Sequence, residues 1–127
     1  MGAVEFGIEY TADSQKLTIE ILRAFDLELN DENVSDTYCK CTLMPDKISH
    51  NTKIVKRTKN PIFEEKFEFE GLEITKLDAR FLSVSLFQAD KGKDECLGAT
   101  ILKLNYPSIE SSQIFLRDLK TLRDTMT

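Results

Sequence analysis

Residues 47–69 read KISHNTKIVKRTKNPIFEEKFEF, and two strands of opposite chemistry meet inside this stretch. From Lys47 to Phe63 there is no Asp or Glu, in a chain that carries 22 of them, so Lys47, Lys53, Lys56, Arg57 and Lys59 form a local excess of positive charge. Pro61 has no amide hydrogen and pushes Asn60 out of helical dihedrals, which predicts a corner at Asn60-Pro61. Beyond the corner Phe63, Phe67 and Phe69 fall on one side of a period-two pattern while Glu64, Lys66, Glu68 and Glu70 fall on the other, as in a half-buried strand. Glu65 lands on the apolar side. A bare buried carboxylate is costly, so the pattern expects Glu65 at a wet rim or held by a hydrogen-bond donor.

Outward from that stretch the same alternation repeats. Val4, Phe6, Ile8 and Tyr10 alternate with Glu5, Gly7 and Glu9. A turn at Ala12 to Gln15 then leads to Leu17, Ile19 and Ile21, which predicts a hairpin. Tyr38 to Leu43 reads as a third strand ended by Met44-Pro45-Asp46, and the basic stretch and the Phe-rich stretch supply the fourth and fifth. Leu72 to Leu77 reads as a connection with one helical turn. Leu82, Val84 and Leu86, alternating with Ser83, Ser85 and Phe87, give the clearest central strand. Leu97 to Leu102 and Gln113 to Leu116 complete the set, with a short helical turn expected at Ile109 to Ser112. Eight short strands without a long helical pattern predict an all-β, antiparallel sandwich. Leu119 to Thr127 reads as a frayed tail.

At 127 residues the chain fits one domain. Its net charge of −5 argues against nucleic acid as a partner, which needs a positive face to displace counterions. Cys39 and Cys41, one residue apart, point to the same side of a strand and read as reduced, semi-buried thiols. Together with Cys96 they lack the C-x-x-C spacing of a zinc site, and the only histidine, His50, stands in a polar, turn-like stretch. Asn33-Val34-Ser35 is a chance-level sequon, and Phe6 stands where a myristoylation motif has Ser or Thr. No signal peptide or membrane helix is legible, so the expectation is a cytoplasmic domain.

The loops hold the remaining chemistry. Asn30, Asp31, Glu32 and Asp36 lie in one, Asp90, Asp94 and Glu95 in another, and a sandwich can bring such loops to one end. Clustered carboxylates repel unless a cation compensates them, and Ca²⁺ takes six to eight oxygens from such groups, although a solvated acidic loop is the commoner outcome. No Gly-flanked Ser, catalytic His pair or phosphate-cradling Gly run is present, so the chain does not read as an enzyme.

Leu17-Thr18-Ile19-Glu20-Ile21 with Ala24, Ser35-Asp36-Thr37-Tyr38, Leu43-Met44-Pro45-Asp46, Thr52-Lys53, Arg57 through Glu65, Phe67-Glu68-Phe69 and Leu97-Gly98 together resemble a C2 domain of the synaptotagmin, rabphilin and Doc2 type. The resemblance runs through Arg117-Asp118-Leu119 and implies a single domain over residues 3–119, with 120–127 as tail or linker. It implies an eight-stranded antiparallel Greek-key β-sandwich whose end loops bind Ca²⁺ and acidic phospholipid, and whose basic fourth strand binds phosphoinositide or acidic proteins. The family's five calcium carboxylates fall here at Asn30, Asp36, Gln88, Asp90 and Glu95, so two have become amides. Asp31 and Asp94 stand one step away and could substitute if the loops shift. Affinity follows carboxylate count, so the resemblance implies weak or absent Ca²⁺ binding and no required cofactor. The family's apolar loop tips are replaced by Asp31 and Gly92, which removes calcium-driven insertion.

The function expected is a peripheral membrane-targeting domain of a trafficking or exocytosis protein. It would dock on acidic phospholipid of a vesicle or the plasma membrane through Lys53, Lys56, Arg57 and Lys59. Strand alternation would place Lys53 and Arg57 on one face and Lys56 on the other. Each such residue contributes on the order of 1 kcal/mol near an anionic leaflet, so the set gives roughly millimolar affinity and calls for a tandem second domain. Two alternatives stand beside it: a module whose basic strand binds an acidic vesicle-fusion or Rab-linked protein, and a regulatory domain of a signalling enzyme. The domain itself is expected to be monomeric.

Overall fold

The computed structural model describes residues 2–29, 36–89, 92–104 and 112–121. Among them run β1 (Ala3–Thr11), β2 (Lys16–Phe25), β3 (Asp36–Met44), β4 (Ile48–Asn51), β5 (Val55–Lys56), β6 (Ile62–Phe69), the single helical turn α1 (Ile74–Leu77), β7 (Phe81–Ala89), β8 (Glu95–Lys103) and β9 (Gln113–Asp118). They form two antiparallel sheets, one ordered β6-β2-β1-β9 and the other β4-β3-β7-β8, with β5 also pairing β3. This is the expected Greek-key sandwich, its fourth strand interrupted so that it appears as β4 and β5.

The alternating residues do what period two requires. Phe6, Ile8, Leu17, Ile19, Ile21, Leu82, Val84 and Leu86 are fully buried between the sheets, and Cys39 and Cys41 join them from β3. The Tyr10 hydroxyl donates to the Leu72 carbonyl, which satisfies the one polar atom of a buried phenol. At the end of the sandwich next to β3 and β7, the Arg80 guanidinium donates to both oxygens of Asp46 at 2.9 and 3.0 Å. That pair holds the Asp46 carboxyl below the ordinary aspartate range, chiefly through the hydrogen bond.

The interruption of the fourth strand has a local cause. Thr52 is buried: its amide donates to the Cys39 carbonyl at 2.8 Å, its hydroxyl accepts from the Cys39 amide at 2.9 Å and donates to the Lys53 carbonyl at 3.0 Å. The side chain thus replaces a ladder partner, and the chain leaves β3 until β5. The basic stretch is therefore not one continuous alternating strand.

Asn60-Pro61 makes the predicted corner, and the end of β2 clasps it. The Ala24 amide donates to the Pro61 carbonyl at 2.9 Å, the Leu27 amide to the Lys59 carbonyl at 3.0 Å, and the Asp26 amide to Asn60 Oδ1 at 2.9 Å. β6 then pairs with β2 through a bulge at Phe63 and Glu64, where Glu64 takes a φ of +51°.

Three expectations need correction. His50 lies on β4 and stacks on Phe67 with ring centroids 5.2 Å apart, and against the edge of Phe69 at 5.1 Å, so it packs across the open edge of the sandwich. Phe67, at that edge, is half-buried, where Phe63 and Phe69 are buried. Leu119 belongs to the core at 2% exposure, and the Lys120 backbone exchanges two hydrogen bonds with Ala99. The helical turn expected at Ile109 to Ser112 lies outside the described residues save for Ser112. Leu119→Ala should lower unfolding stability by about 2–4 kcal/mol through the cavity it leaves, whereas Leu116→Ala, at 64% exposure, should change it by less than about 0.5 kcal/mol. Urea titration of the two variants checks the contrast.

Candidate functional site

Lys53, Lys56, Arg57 and Lys59 are all exposed. Lys53 and Ile54 lie between the two short strands, Lys56 ends β5, and Arg57 turns the chain with a φ of +55°. Among the described residues none of these four side chains forms an ion pair. What holds the segment is Glu65, whose Oε2 accepts the Lys53 amide at 2.7 Å across from β6. That bond answers the carboxylate found on the apolar side of its strand. It also means Glu65 fixes the backbone and leaves the lysine heads in water.

Lys40 lies on the adjoining sheet face and is missed by reading the basic stretch alone. On β3 the side chains of Tyr38, Lys40 and Thr42 point away from the core, and Lys40 stands opposite Asn51 of β4 and Ser85 of β7. Thr42 and Ser49 are hydrogen-bonded beside it at 2.8 Å. The strand alternation that buries Cys39 and Cys41 was the available signal.

The loop residues are brought together only in part. Asp36 opens β3 opposite Lys56 on one side and Ala89 on the other. Gln88 is buried at 5% exposure, opposite Thr37 and Glu95. The burial alternation puts Asp36 with Tyr38 on the outer side and Gln88 with Leu86 on the core side. Asp94 accepts a 2.6 Å hydrogen bond from the Tyr38 hydroxyl, and Tyr38 stacks on Phe87 at 5.3 Å and 9°. Asn30, Asp31 and Asp90 lie outside the described residues. Of the candidate ligands the described residues include Asp36, Gln88, Asp94 and Glu95, and Asp94 is engaged by Tyr38.

The C2 domain family model matches residues 15–118. This chain belongs to the C2 domain family. Human synaptotagmin-7 is 30% identical over 128 residues, covering 98% of this chain and 32% of its own length. The chain therefore spans about a third of that relative. Among solved structures, the third C2 domain of KIAA1228 protein superposes with a TM-score of 0.87 at 23% identity, over 95% of this chain and 89% of that one. A RIM C2 domain from Drosophila does so with 0.81 at 22%, over 92% and 98%. At these identities the two structures bear on the fold. No helix among the described residues of this C2 domain is long and apolar enough to cross a membrane.

The Tyr38 hydroxyl is pushed up to about 12, first by its partial burial and then by the hydrogen bond and charge of Asp94. The neutral phenol is favoured in the folded state, so its contribution to stability is complete below the ordinary tyrosine value near 10.0 and is lost as pH rises toward about 12. Tyr38→Phe should abolish that loss. Unfolding midpoints across that pH window in both proteins check it.

Proposed function

We propose that this C2 domain is a peripheral membrane-targeting module that docks on acidic phospholipid through Lys53, Lys56, Arg57 and Lys59, with Lys40 on the adjoining sheet face. Calcium contributes little or nothing. The observation that carries this reading is four exposed cations, free of ion pairs among the described residues, in a chain of net charge −5. Unpaired heads give up no intramolecular partner when they meet a phosphate, so their attraction to an anionic surface is undiminished. The corner and the Glu65 hydrogen bond fix the segment's backbone beforehand, which limits the ordering cost of docking.

At about 1 kcal/mol for each of the four residues the domain alone binds in the millimolar range. Useful residence then requires a linked second module, and the greater length of the synaptotagmin relative is in keeping with that. The expected setting is the cytoplasmic surface of a vesicle or the plasma membrane in trafficking, with no catalysis by the domain.

Co-sedimentation with phosphatidylserine and phosphoinositide vesicles tests the reading. Replacing Lys53, Lys56, Arg57 and Lys59 together by Ala should cut partitioning by two to three orders of magnitude, as about 4 kcal/mol implies. Added Ca²⁺ should leave wild-type partitioning unchanged, and unchanged partitioning of the quadruple variant would move the site elsewhere. By calorimetry, Ca²⁺ should bind no tighter than about 10⁻⁴ M. Asn30→Asp, which restores a carboxylate at a loop position, should tighten it, and micromolar affinity in the unmodified domain would overturn the calcium assignment.

A further inference from the structure

We propose that the outer face of the sheet β6-β2-β1-β9 docks a basic amphipathic helix of a partner protein, seated over Gly7 between Ile62 and the pair Ile114 and Leu116. Two cross-strand rows build this face. In one, Ile62, Arg23, Glu5 and Leu116 stand side by side; in the next come Lys66, Glu20, Gly7 and Ile114. Ile62, Ile114 and Leu116 are 58%, 67% and 64% exposed, which is far from the single scattered apolar residue that a surface tolerates without meaning. Ile62 and Ile114 line one groove of about 290 Å³ with Leu22, Glu5, Arg23 and Glu64. Gly7 gives that face its depth. A second hollow, of about 100 Å³, opens around it between Glu20 and Ile114.

Charge decides the occupant. Arg23 is spent on Glu5 at 2.9 Å and lies over the Phe25 ring. Glu9, Glu20, Glu64 and Asp118 form no ion pair among the described residues, and they outnumber the one unpaired cation of these rows, Lys66. An apolar strip bordered by unpaired carboxylates is complementary to a segment with aliphatic side chains on one face and Lys or Arg along its flanks. A helix is the element that covers a sheet face, and three strand spacings of about 4.8 Å, roughly 14 Å, match some nine helical residues at 1.5 Å each. The missing Cβ of Gly7 lets the helix approach.

An acidic membrane repels this face. If the lipid reading holds, the face points into the cytoplasm when the basic segment is docked, and the domain joins a membrane to a basic protein. The docking site itself is independent of that reading, and so is its test, which contains no lipid.

The probe is a synthetic helical peptide of two LKKLLKL repeats, titrated into ¹⁵N-labelled protein, with a control in which every Leu is Ser. The expected amide shifts centre on Gly7, Glu20, Ile62 and Ile114. Affinity should fall at least tenfold for the Ser control, for Ile114→Ser with Leu116→Ser, and for Gly7→Lys. The last variant should fold, since a Cβ at Gly7 meets nothing closer than the Gln113 carbonyl at 3.6 Å. Lys53→Ala with Arg57→Ala should leave peptide binding unchanged. Equal binding by the Ser control, or shifts centred on another surface, would overturn the proposal.

Discussion

The chain must cross from one sheet to the other between β5 and β6, and the peptide groups at that crossing have no strand beside them in either sheet. Buried backbone polar groups cannot be left unpaired. The answer is the clasp in which Ala24, Asp26 and Leu27 donate to Pro61, Asn60 and Lys59. Much depends on it. β6 is an edge strand whose only partner among the described strands is β2, so its position is set by the ladder and by this corner. Phe63 and Phe69 close the core only if β6 is there. The same corner ends the basic segment, so one set of hydrogen bonds serves the apolar core on one side and the charged surface on the other.

The two surfaces differ in the sign of their unpaired charge. Among the described residues Lys53, Lys56, Arg57 and Lys59, none in an ion pair, cluster on the segment beside β3, while Glu9, Glu20, Glu64 and Asp118 outnumber Lys66 on the outer face of β6-β2-β1-β9. Glu65 is the exception that connects them, a carboxylate of the acidic strand committed to a backbone amide of the basic one. Its cost on the apolar side is offset by that bond, and the bond is available because Thr52 has already turned the chain out of the β3 ladder.

Most of the architecture was legible because a half-buried strand announces itself by period two, and the Asn-Pro corner by the chemistry of Pro61. What was not legible depended on contacts made at long range. Thr52 is polar in the sequence yet buried in the structure, since it uses its hydroxyl as a ladder partner. Leu119, spaced like a helical tail, is covered by the approach of Ala99 and Lys120 from another element. His50 looked like a turn residue until its ring met Phe67 and Phe69. At the loop end the carboxylates could be named, but the sequence does not reveal that Asp94, 56 residues from Tyr38, is already taken by it. Lys40 was readable from strand alternation, but the much denser basic stretch nearby masks it.

The thiols of β3 carry one more consequence. Cys39 is fully buried and burial raises its pKa well above the ordinary thiol range, while Cys41 is pushed up to about 12 for the same reason. Neither presents a thiolate to an alkylating or oxidising reagent while the sandwich is closed. Cys96, at the start of β8, is exposed. The protein thus carries a natural single attachment point at the loop end of one sheet. A spin label or fluorophore placed there would report how deep that end sits at a lipid surface without any residue being replaced.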